Sequence, residues 1–69
     1  MKTHVITRKQ LDSNNNYIGK VDLTNFNGHI ETEENLGIVI FSSVCVTGYI
    51  YFKAGCGIEA GDGIKAGWG

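Results

Sequence analysis

The sequence predicts an all-β protein of short strands, arranged as a small β-solenoid or as a compact β-sheet or sandwich. Three observations carry this. No window keeps apolar residues at the 3.6-residue spacing of a helix. Ten glycines, repeated asparagines and many β-branched residues oppose helix formation. A loose motif, Gly-x-(Ile/Val)-x-(Leu/Thr/Phe), recurs as GKVDL (19–23), GHIET (28–32), GIVIF (37–41) and GYIYF (48–52), its glycines 9, 9 and 11 residues apart.

The elements follow in order. HVIT (4–7) reads as a short strand, and the basic residues around it, Lys2, Arg8 and Lys9, as its solvated surface. DSNNN (12–16) reads as a turn, because Asn and Asp tolerate left-handed backbone and hydrogen-bond their own chain. In the Gly-x-Ile segments strand alternation puts Val21, Leu23, Ile30, Thr32, Val39, Phe41, Ile50 and Phe52 on one face. The opposite face changes along the chain, from Asp22 and Glu31 to Ile38 and Ile40, then Tyr49 and Tyr51. The stretch from Ile38 to Val46 is uncharged and β-prone, and would be an aggregation site if left bare. It is therefore expected to be central in a sheet or covered by another subunit. Glycines are expected at corners in a parallel stack, or in hairpin turns in an antiparallel meander.

Sixty-nine residues make one small domain, 1–69, that buries little surface and gains stability from a partner chain. Ile38, Ile40, Tyr49, Tyr51 and Trp68 are the expected interface of a homo-oligomer, tyrosine and tryptophan being enriched in subunit contacts. Two cysteines provide no disulfide framework, and no secretory leader is visible, so a cytoplasmic location is expected. The longest apolar run is too short to cross a bilayer, and no membrane partner is expected. A net charge of −1 argues against a sequence-independent grip on phosphate backbones. Tyr49, Tyr51 and Lys53 share a face that could stack bases, but with one lysine among acidic neighbours a subunit contact is the better reading.

The last eighteen residues divide into FKAGCG, IEAGDG and IKAGWG (52–69). Phe52, Ile58 and Ile64 recur every six residues, and Glu59 and Lys65 occupy the same hexad position, where they could meet across adjacent strands. The G-x-G-x-x-A string at 55–60 mimics a dinucleotide-binding turn, but the glycines that follow oppose the required helix and the string repeats at 61–66. No phosphate-binding loop and no zinc-ligand spacing occurs, so no cofactor or metal is expected.

The hexads resemble one coil of the left-handed β-helix of hexapeptide-repeat proteins, although the usually small fifth position holds Cys56, Asp62 and Trp68. The GHIET to GYIYF stretch is similar to the right-handed β-helix of bactofilins, and the tail is similar to bacterial proteins with long Gly-Ile-Lys-Ala-Gly arrays, of which 52–69 would be a shortened piece. The first resemblance implies an acyltransferase acting between subunits with a catalytic histidine. The second implies a polymer-forming scaffold without catalytic residues.

His29 alternates with Glu31 and Glu33 and is the one candidate for a catalytic base, since a neighbouring carboxylate can orient an imidazole. No partnered nucleophile or oxyanion hole accompanies it at a recognisable spacing. The leading expectation is a non-enzymatic structural or self-assembling interaction module. The alternative is a small-molecule-binding or acyltransferase-like unit completed at a subunit interface around His29.

Overall fold

The Gly-x-Ile motif forms strands where its alternate residues can be buried. GHIET is strand β2 (Gly28–Thr32) and GIVIF is β3 (Gly37–Phe41). In a computed structural model, which describes residues 1–68, these are joined by β1 (Lys2–Ile6), β4 (Val44–Val46), β5 (Ile50–Tyr51), β6 (Cys56–Ala60) and β7 (Ile64–Ala66). A single 3-10 turn, Arg8–Gln10, is the only helical element among the described residues. The protein is all-β.

The strands form three sheets, ordered β1-β2-β5, β3-β6 and β4-β7. Every ladder is parallel. Ile30 pairs with Ile50, 20 residues on, Gly37 with Cys56, 19 on, and Val44 with Ile64, 20 on. The chain thus visits the first, second and third sheets in turn and then returns to the first. The opening circuit is longer, since Lys2 pairs with Gly28, 26 residues on. Its middle and end reach the other two sheets through the single parallel bridges Asn16 to Ile40 and Phe26 to Val46. An antiparallel meander is excluded: the segments that hairpins would pair lie in parallel register or in different sheets.

Alternation sends one set of side chains to the common interior. Ile6, Ile30, Val39, Val44 and Val46 are buried, with Leu11, Leu23, Leu36 and Phe41. Each such side chain withdrawn from water contributes about 1.5–3 kcal/mol. Thr32 is also buried, and its hydroxyl oxygen accepts from the Lys53 amide at 3.0 Å, so the hydroxyl is not left unpaired. The corner between the first and second sheets needs left-handed backbone in successive circuits. Asn35 (φ 60°) and Gly55 (φ 78°) occupy it, and the Asn35 amide donates to the Ala54 carbonyl at 3.1 Å.

Two motif segments depart from the expected strands. GKVDL (19–23) is irregular. The Asp22 carboxylate accepts from the Thr24 amide (2.9 Å) and hydroxyl (2.6 Å), and the Tyr17 hydroxyl donates to the Val21 carbonyl (2.9 Å). Side chains have taken backbone groups that a ladder would use. Leu23 still reaches the core, as its alternation predicts, whereas Val21 is exposed. GYIYF is a strand only at Ile50–Tyr51, because the Tyr49 amide donates to His29 Nδ1 (3.0 Å) rather than to a backbone carbonyl. DSNNN turns as expected: the Asp12 carboxylate accepts from the amides of Asn14 and Asn16, both at 2.9 Å. Glu59 and Lys65 do not meet across adjacent strands. Their strands lie in different sheets, where Glu59 pairs with Ile40 and Lys65 with Cys45.

Candidate functional site

The two ends of the parallel stack differ. At the β1 end the long opening circuit folds back over the interior. Leu11 and Leu23 are buried there, and the Gln10 side chain lies along the free edge of β1. Its amide donates to the Val5 carbonyl (3.3 Å), and its Oε1 accepts from His4 Nε2 (3.0 Å). A side chain bonded to an outer carbonyl of an edge strand obstructs another strand from pairing at that point.

The β5-β6-β7 end has no such cover among the described residues. Each of these strands is paired on one side only. Their inward side chains continue the buried columns but are left partly uncovered at the end of the stack. Val44 is 2% exposed, and its ladder partner Ile64 is 47% exposed. Ile50 and Ile58 are half-buried, although their partners Ile30 and Val39 are fully enclosed. The hexads therefore supply the last circuit, with Phe52, Ile58 and Ile64 as its inward apolar positions.

A second cluster lies on the outer surface of the first sheet. The His29 ring stacks on Tyr49 (centroids 4.0 Å, planes 17° apart) and meets Trp68 edge-on at 4.7 Å. The Tyr49 hydroxyl donates to Glu31 Oε2 at 2.6 Å. This hydrogen bond, then partial burial and the carboxylate's charge, raises the Tyr49 phenol above its ordinary value, because each favours the protonated form. Gly48 makes room for the arrangement: a Cβ there would run into the His29 imidazole and lie 2.7 Å from the Gly28 carbonyl.

The geometry bears on His29 as a base. Its Nδ1 accepts from the Tyr49 amide, so a neutral ring carries its proton on Nε2. The ring has no free lone pair with which to take a proton from a substrate. Glu31 is committed to Tyr49 rather than to the imidazole.

Of the expected interface residues, Tyr49 and Trp68 come together in this cluster, with Trp68 still 61% exposed. Tyr51 is exposed on the open circuit. Ile38 (58% exposed) and the half-buried Ile40 sit elsewhere, on the outer face of β3. β3 is paired with β6 on one side, and its other edge is bridged to Asn16 and bonded by the Asn15 side chain at the Leu36 and Ile38 carbonyls.

Cys56 has a role that its residue type did not reveal. Its half-buried thiol donates to the Glu33 carbonyl (3.1 Å) and accepts from the Leu36 amide (3.4 Å) and the Thr32 hydroxyl (3.5 Å). It ties the last circuit to the corner above it. An open cleft of about 490 Å³, lined by Tyr17, Val21, Asp22, Phe41 and Ser43, lies beside the irregular 19–24 segment. Of its polar side chains, Asp22 accepts from Thr24 and Tyr17 donates to the Val21 carbonyl. Among the described residues no three His, Cys, Asp or Glu side chains are placed to hold a metal ion, and no helix is long and apolar enough to cross a membrane. No protein-family model, curated protein or solved structure matches the chain.

Proposed function

We infer that this chain is a non-enzymatic structural module, a short three-sided β-solenoid that self-associates through its open last circuit. The observation that carries this reading is the contrast between Val44 and Ile64. The two are ladder partners in one column, one enclosed and the other 47% exposed. A solenoid end needs a cap with a polar outer face to be soluble alone. Here Gln10 and the opening loop cover the core at the β1 end, although Met1, Val5, Ile18 and Val21 of that circuit are exposed, and the β7 end presents half-covered isoleucines.

The reading moves the expected contact from β3 to the hexads. The alternative, a small-molecule or acyl-transfer unit around His29, is weaker because Nδ1 is already engaged. Light scattering coupled to size exclusion tests the proposal over a range of loading concentrations. A mass above the monomer that falls on dilution is expected. A strict monomer at every concentration would remove the reading.

A further inference from the structure

We propose that the open circuit receives a second copy of the same chain about a twofold axis, with β6 of each copy lying antiparallel to β7 of the other and Glu59 facing Lys65 across both seams. This rests on the self-association reading above and assigns its geometry.

A twofold axis perpendicular to the stack brings two β5-β6-β7 ends together and reverses the direction of travel. Strands that are parallel within each chain then meet antiparallel at the join. With the axis through the β5 face and the opposite corner, β5 faces its own copy, and β6 and β7 exchange partners. The hexad repeat makes β6 and β7 complementary in that arrangement. Ile58-Glu59-Ala60 runs against Ala66-Lys65-Ile64 of the other copy, so a large apolar residue faces a small one at both inward positions. Glu59 and Lys65, both exposed and outward, become direct cross-strand neighbours of opposite charge. The symmetry makes this contact twice. Within one chain the same two side chains lie in different sheets.

Stacking in the other sense, with the open end on the β1 end of a second copy, meets the edge already occupied by Gln10. Edge charges usually repel further strands. One edge charge of each sign, at positions that the axis superposes, instead selects this partner and register. The same axis places Asp62, midway between Glu59 and Lys65 in sequence, next to Asp62 of the other copy. That like-charge contact opposes association.

Sedimentation equilibrium of the wild type, Glu59→Lys, Lys65→Glu, the double exchange and Asp62→Asn tests the geometry, with circular dichroism reporting that each variant keeps its β fold. The wild type is expected as a monomer–dimer equilibrium. Each single reversal should raise the dissociation constant about tenfold by placing like charges at two sites. The double exchange should restore most of the affinity, and Asp62→Asn should tighten it. A dimer indifferent to both single reversals, or a double exchange as weak as the singles combined, overturns this geometry while leaving self-association standing. A monomer at all concentrations overturns both, and is the outcome if further hexads or an unlike partner cover this end.

Discussion

The Tyr49 hydroxyl donates a 2.6 Å hydrogen bond to Glu31, across the ladder that joins β2 to the segment entering β5. The contact is charge-assisted and ties the outer surface of the first sheet together where the Tyr49 amide bonds His29 while its carbonyl still accepts from the Ile30 amide. The phenol is raised above its ordinary value of 10.0, chiefly by this bond and then by burial. A group with a raised folded pKa contributes stability below its unfolded pKa and loses it as pH rises through the folded value. Glu31→Gln should move the Tyr49 titration back toward 10.0, which tyrosine ring NMR shifts followed from pH 8 to 12 would show. A titration unchanged by the substitution would mean that Glu31 is not the cause.

Acid should act through the two turns. Asp12 is lowered from 3.8, first by its bond from the Asn16 amide, and Asp22 is lowered first by the Thr24 hydroxyl. A depressed carboxylate stabilises the fold above its unfolded pKa and stops doing so as pH falls through its folded value. Melting temperature should therefore decline as pH falls below about 3.8. The double substitution Asp12→Ala, Asp22→Ala should flatten that decline while lowering the melting temperature at neutral pH.

Ile30 and Ile64 separate stability from association. Ile30 is fully enclosed, and Ile30→Ala should cost about 2–5 kcal/mol in urea denaturation. Ile64 is at the open end, so Ile64→Ala should cost well under that in dilute solution and weaken self-association in sedimentation experiments. Equal losses of stability for the two in the monomer would show that the last circuit is covered within the chain.

Gly48 is a packing position. Gly48→Ala would press a methyl group on the His29 ring and the Gly28 carbonyl, and should cost about 1–3 kcal/mol. Thermal melts measure it, and Gly63→Ala offers a comparison in which added volume meets nothing, although its backbone has φ 117°.

The strands GHIET and GIVIF were legible residue for residue, because strict alternation with a buried face leaves one register. GKVDL carried the same pattern and is not a strand, since the Asp22 turn and the Tyr17 hydroxyl compete for its backbone. That competition depends on a partner four residues away, which the motif does not contain. The buried residues Ile30, Val39 and Leu23 could be read from alternation, whereas Val21 could not be distinguished from them. The aromatic cluster was half visible. Tyr49 and Trp68 were singled out as expected interface residues, but their meeting with His29 depends on chain return through three sheets. Cys56 as a hydrogen-bonding centre had no local signal, because its partners are 20–24 residues away.

If the chain associates as proposed, the contact between Gln10 and Val5 would limit the size of the assembly. A particle whose subunits each offer one adhesive end and one sealed end stops growing as soon as two adhesive ends have met. In the proposed dimer, such a chain would bring apolar strands together at high concentration without nucleating a fibre. In that arrangement, removing the Gln10 carboxamide would free one carbonyl of the β1 edge and weaken the seal that makes the unit a terminating one.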